Sequence, residues 1–204
     1  MPQRTGYAVL LLLGGIALAG LILNGRPGAA PTPPAQPANS TPEGPFRLFP
    51  FITDSRQIEA MALELPAEDR IIRVEVDPES GAWVSLDDPS QPVDEEAAHQ
   101  ARLLLANLIG EGQIERAGRA LEAFGFQPQV RAVLSFHVEG EERPYFVFVG
   151  DATPSGVSYY VSLSRDVGII ILVPAQWVND LVLWMMQLTP PAVQPERTPT
   201  RAPG

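Results

Sequence analysis

The sequence predicts an α+β domain, mainly an antiparallel sheet with one central amphipathic helix and a C-terminal helix, preceded by an N-terminal transmembrane helix. Three observations predict it. A period of two in hydrophobicity dominates the middle of the chain, as a half-buried strand requires. Helical spacing of apolar residues occurs in two stretches, one central and one near the end. An uncharged apolar run opens the chain, and proline-rich segments flank the middle on both sides.

The opening run comes first. No charged residue lies between Thr5 and Gly25, and "YAVLLLLGGIALAGLIL" (Tyr7 to Leu23) is almost wholly apolar. Twenty-one helical residues reach roughly 31 Å, which matches the ~30 Å hydrocarbon layer of a bilayer. The competing reading is a cleaved signal peptide, because Ala17-Leu18-Ala19 supplies small residues. That triplet lies inside the apolar run rather than after it, which favours a retained anchor over residues 1–25. Arg4 and the terminal amine precede the span and Arg26 follows it, a slight bias toward a cytoplasmic N-terminus. Residues 26–47 read as a linker. Eight prolines fall between positions 27 and 50, a composition that suits an extended, solvated tether. Residues 189–204, "TPPAVQPERTPTRAPG", read as a second such segment. The expected arrangement is a single-pass protein of the cell membrane whose globular part, residues 48–188, lies on the extracytoplasmic side.

Within that part, "IIRVEVD" alternates Ile72, Val74 and Val76 with Arg73, Glu75 and Asp77, and "DPESG" then "AWVSL" complete a hairpin. "QIEAMALEL" is ambiguous, since Ile58, Met61, Ala62 and Leu65 also fit a helical face; it is read as a strand. Asp94 is a candidate helix N-cap, followed by Glu95 and Glu96 at the positive end of the helix dipole. Ala97, Ala101, Leu104, Leu105 and Leu108 then recur at helical spacing up to Gly110. "IERAGRALEAFGFQP" reads as a short strand or turn and one or two helical turns, stopped by Gly125 and Pro128. "VRAVLSFHVE", "PYFVFVG", "SYYVSL" and "VGIIILV" read as strands. The first of these should place Val130, Ala132, Leu134, Phe136 and Val138 on one face, with Arg131, Ser135 and His137 on the other. Pro174 is expected as a first helical residue, with Trp177, Leu181, Trp184 and Met185 as the apolar stripe. Residues 167–188 could also be taken for a second membrane span. Asp180 in mid-run would cost about 2.5–3.5 kcal/mol there, so a strand followed by a core helix is preferred.

Composition removes several functions. The net charge is −10, and residues 46–187 carry 22 acidic residues against 10 arginines, a balance of −12. Nucleic acid is therefore not an expected partner. There is no cysteine, which excludes disulfides and thiolate chemistry. All 14 basic residues are arginine, which excludes a Schiff-base lysine and a P-loop lysine.

Three groups of residues invite a chemical reading. "GDATPSGVSYYVSL" (150–163) carries two glycines and several hydroxyls, yet Gly150 and Gly156 lead into a strand rather than a helix, so a hairpin is expected in place of a phosphate cradle. Gly156 should supply a positive φ, Pro154 the bend, and Asp151 or Thr153 bonds to local amides. Ser155, His137 and Asp151 could in principle form a hydrolase triad, but Ser155 has no G-x-S-x-G elbow. His99 reads as a solvated helix residue, and two histidines do not suggest a histidine-rich metal site. Asp87, Asp88, Asp94, Glu95 and Glu96 in "DDPSQPVDEE" offer oxygen ligands to calcium without the spacing of a D-x-D-x-D-G loop. Tyr159 and Tyr160 should face opposite sides of their strand, one in the core and the other free for a sugar or partner beside Trp83. No catalytic, cofactor or metal residue is assigned, and no enzyme activity is expected.

The order of landmarks resembles the family known as domain of unknown function 4340. The residues that carry the likeness are Gly81-Ala82-Trp83 in a hairpin, "FGFQP" (124–128) after the central helix, and "VGDATPSGVSYYV" (149–161), with a closing proline pair and a proline-threonine tail. Phe124 and Phe126 stand where tyrosine and leucine are common in that family. The likeness spans roughly residues 48–188. It implies an accessory role in a bacterial cell envelope, beside an ABC-type export permease or another envelope protein, and it brings no catalytic residues. The alternatives from other classes are an envelope hydrolase using Ser155 or Asp94, and a carbohydrate- or peptide-binding module.

Overall fold

The computed structural model describes residues 44–189. The expected membrane anchor, most of the proline-rich linker and nearly all of the tail lie outside the described residues. Among the described residues no helix is long and apolar enough to cross a membrane. The 167–188 run divides as expected, into a strand and a separate helix of 13 residues.

Eight strands form one antiparallel sheet in the order β4-β3-β2-β7-β8-β9-β10-β6. In chain order these are β2 (Ile58–Leu65), β3 (Arg70–Val76), β4 (Trp83–Ser85), β6 (Gly112–Glu115), β7 (Ala132–Val138), β8 (Tyr145–Ala152), β9 (Ser158–Ser162) and β10 (Ile169–Pro174). A two-residue pair, β1 (Phe46–Arg47) with β5 (Ile109–Gly110), stands beside them. β1 falls inside the stretch read as linker, so among the described residues strand pairing reaches back to Phe46, ahead of residue 48.

The ambiguous segment at 58–65 is the strand β2. It lies between β3 and β7, and Ala60 and Ala62 are buried along with Ile58, Met61, Leu63 and Leu65. Burial on both faces erased the alternation that would have identified it. The 77–82 turn closes through Asp77, whose carboxylate accepts from Ser80 N at 2.7 Å, while Gly81 takes φ 73°.

Two helices cover one face. α1 (Glu95–Ala106) starts at Asp94, whose side chain accepts from Ala97 N at 3.0 Å. It ends four residues before the expected Gly110. Leu108 O accepts from Leu48 N at 2.8 Å, and residues 109–110 pair with β1, so strand bonds replace the last helical turn. α2 (Ala175–Gln187) starts one residue after Pro174, which is extended (φ −51°, ψ 133°) and still pairs with Ser158 in the sheet. The helices run antiparallel and touch, and Leu188 O accepts from Asp94 N at 2.9 Å. Beneath them lies the main core, with Ile58, Met61, Leu63, Leu105, Leu134, Phe136, Leu181 and Met185 essentially inaccessible.

The other face has a partial cover. Residues 121–130, including a 3-10 turn at Leu121–Phe124 capped by Gly125 (φ 72°), fold back over β8, β9, β10 and β6. Phe124, Phe126, Val167 and Ile170 are buried in this second cluster, with Ile114, Phe148 and Tyr160 against them. Val130 joins it, on the face opposite Ala132, which corrects the expected facing of Val130. Residues 130 and 131 precede β7, so the pleat does not govern them.

Candidate functional site

The 150–163 stretch is a hairpin. β8 and β9 are joined by residues 153–157, with Thr153 N donating to Ser158 O and Gly156 N to Thr153 O, both at 2.8 Å. Gly156 takes φ 73° as expected, and Thr153 Oγ1 accepts from Ser158 N at 3.4 Å. Gly150 has a different role: a Cβ there would collide with the Phe124 carbonyl oxygen, so its lack of a side chain admits the 3-10 turn against the sheet. Gly125 likewise lies against Asp151. "FGFQP" (124–128) and "VGDATPSGVSYYV" (149–161) thus meet through backbone, and Gly81-Ala82-Trp83 lies across the sheet at β4.

The three triad candidates are apart. Ser155 is exposed, and its nearest hydroxyl is Thr153 Oγ1 at 3.2 Å. Ala132 pairs with Val149, which puts Asp151 beyond the start of β7; His137 lies five residues past that start, so more than roughly 17 Å separates it from Asp151 at 3.3 Å per residue. His137 Nδ1 instead faces Glu59 Oε2 at 3.9 Å. His99 is exposed on α1.

The acidic candidates are also dispersed. Asp87 clamps Arg73, accepting from its guanidinium and, at 3.0 Å, from its backbone N–H. Asp88 accepts from Ser90 Oγ at 2.6 Å, which holds its carboxyl below the ordinary value. Asp94 caps α1, Glu95 accepts from Trp83 N at 3.1 Å, and Glu96 accepts from Gln100 at 2.7 Å. Among the described residues no three His, Asp or Glu side chains converge as a metal site.

Tyr159 and Tyr160 do face opposite sides. Tyr159 is buried under the helices, and its hydroxyl donates to Asn179 Oδ1 at 3.1 Å. Tyr160 packs edge-on against Phe124, with centroids 5.1 Å apart. Neither lies beside Trp83, which is buried on β4, at the opposite end of the sheet from β9. Trp83 is covered by Arg102, whose guanidinium lies 4.8 Å from the ring centroid and donates to Ile58 O at 2.6 and 2.8 Å.

A concave surface that sequence reasoning missed lies between α2 and the β2–β3 turn. It is a cleft of about 320 Å³ with an apolar floor that includes Leu65, Val178, Val182 and Met186, and a rim bearing Glu68, Arg131 and Asn179. Four segments build it: the end of β2 with the turn after it, Arg131 and Ala132 at the start of β7, Val149 of β8, and one side of α2. Arg131 N donates to Val149 O at 2.8 Å, which fixes its backbone to the sheet. Its guanidinium lies 5.2 Å from the Tyr159 ring centroid, and Tyr159 is held in turn by Asn179. Among the described residues the ion pairs are Asp54–Arg56, Asp87–Arg73 and Glu59–His137, so Arg131 lines the cleft without a carboxylate partner. The only local signal of this site in the sequence is an arginine just before a strand.

Compared with known protein families, curated proteins and solved structures, the chain matches none.

Proposed function

We propose that the chain is a membrane-tethered, extracytoplasmic domain that acts by binding, as an accessory of an ABC-type export system in a bacterial cell envelope. The observation that carries this reading is the sequence of parts: an uncharged apolar segment from Thr5 to Gly25, a proline-rich stretch, and then a domain in which Phe46 is already paired in a strand. Such an order suits a globule displayed beyond a bilayer on a stalk. The resemblance to the domain of unknown function 4340 family supports the accessory role. Support for binding over chemistry comes from the local structural use of the candidate groups and from the cleft, which has an apolar floor and few polar groups at its rim.

The test uses the full-length chain in its native membrane. The chain should resist alkaline carbonate extraction, be open to protease added outside the cell, and co-purify with permease and ATPase subunits from detergent extracts. Release by carbonate, or purification with no membrane protein attached, would overturn the reading.

A further inference from the structure

We infer that the cleft between α2 and the β2–β3 turn binds a carboxylate carried next to a short aliphatic group, the chemistry shared by an N-acylated aliphatic amino acid and a peptide's C-terminal residue. The proposal rests on the binding reading above and specifies what is bound.

Charge, geometry and size argue for that ligand. Arg131 is tied to β8 through its backbone and lies over the Tyr159 ring. Stacking orients a guanidinium without neutralising it, so the planar fork stays available to the two oxygens of a carboxylate. Tyr159 cannot swing away, because its hydroxyl is bonded to Asn179 on α2. One guanidinium matches one negative charge. Glu68 on the same rim, in a domain that is acidic overall, opposes a second charge and so disfavours a phosphate dianion. Below the rim, Leu65, Val178, Val182 and Met186 offer an aliphatic floor, and a methionine adapts to irregular apolar shapes. The volume, about 320 Å³, stands at the lower end of the roughly 300–1,000 Å³ typical of ligand clefts. It suits a side chain of leucine size and not a long acyl chain.

The experiment tracks the methionine methyl resonances of the full-length chain in detergent micelles. Met186 lines the cleft, while Met61 and Met185 are fully buried and report whether the fold is intact. The probes are N-acetyl-leucine, N-acetyl-leucinamide and the free-acid peptide Ala-Ala-Leu. N-acetyl-leucine should shift the Met186 methyl saturably, and the amide should bind about ten-fold or more weakly, because it forfeits a charge-assisted bond pair. Arg131→Gln should weaken the acid to the level of the amide with Met61 and Met185 unmoved. If the peptide binds more tightly than N-acetyl-leucine, a peptide terminus is the source; if it binds less tightly, a free small molecule is. Equal binding of acid and amide, absence of saturation by both acids, or an Arg131→Gln protein that binds the acid normally would overturn the proposal. Recovery of permease subunits in the purification above, alongside such a failure, would remove the ligand class and leave the accessory role standing.

Discussion

Gly150 lies directly against the carbonyl of Phe124, so two stretches 26 residues apart in sequence touch backbone to backbone with no room for a side chain between them. This contact seats the 3-10 turn over the second hydrophobic cluster and couples the hairpin of β8 and β9 to the cover of the sheet.

Glycine substitutions should therefore rank by cause. Gly150→Ala meets a steric collision at an ordinary φ, and such overpacking costs roughly 1–3 kcal/mol. Gly156→Ala has open space but a φ of 73°, which costs about 1 kcal/mol. Gly125→Ala combines both penalties and should be the most damaging. Urea denaturation midpoints of the three variants would check the order.

Arg102 joins α1 to β2 and covers Trp83. Its guanidinium bonds Ile58 O and Arg56 O, and burial pushes its pKa down from the ordinary value without threatening its charge. Arg102→Met removes those bonds and leaves the Ile58 carbonyl short of a partner, for an expected loss of about 2–3 kcal/mol. Arg102→Lys should recover less than half of it, since an ammonium cannot reproduce the forked geometry. Urea unfolding monitored by tryptophan fluorescence would test both.

Asp94 is expected to act as a cap and not as a metal ligand. Asp94→Ala should cost about 1 kcal/mol, while Asp94→Asn, which can cap equally well, should be close to neutral. Added calcium should leave the melting temperature unchanged in all three proteins. A calcium-dependent rise that Asp94→Asn abolishes would contradict the assignment.

Glu75 gives a pH dependence with a definite sign. Burial, and after it the nearby charge of Asp77, raises its carboxyl above the ordinary value in the folded protein. The folded state then holds that proton more tightly than the unfolded chain, so ionisation of Glu75 opposes folding as pH rises through the carboxylate range. Below that range the opposition is absent. Glu75→Gln should accordingly raise the thermal midpoint near neutral pH, with the gain vanishing in acid where the wild-type carboxyl is protonated. Melting curves at the two extremes would decide it.

Much of the fold is legible because its signals are local. The period of two at Ile72, Val74 and Val76, the cap at Asp94 and the turn residues around Gly81 and Gly156 each act within a few positions of themselves. What escapes depends on partners far along the chain. Ile109 and Gly110 continue a helical pattern in sequence but are claimed as strand by β1, more than 60 residues earlier. Residues 121–130 carry no sign that they will roof half of a sheet face. The cleft draws Leu65, Arg131 and Val178 from three segments, and alternation alone assigns Arg131 to the face opposite Ala132. Its position just ahead of β7 frees it to turn over Tyr159 instead. The sequence narrows the core tyrosine to Tyr159 or Tyr160 and no further, since alternation separates neighbours but cannot tell which side will be covered.

The described domain is fastened at the two ends of α1: Arg47 donates to Ala106 O at 2.6 Å, and Leu188 O receives Asp94 N. Twelve helical residues hold those fastenings roughly 18 Å apart. A pull applied between the chain ahead of Phe46 and the chain beyond Thr189 would therefore load the helix lengthwise, through the two-residue pairing of β1 at one end and the Asp94–Leu188 bond at the other. Traction on the leading end would strip the two residues of β1 and then meet Leu48, Phe49 and Ile52, which are seated in the main core, so the slack at that end is short.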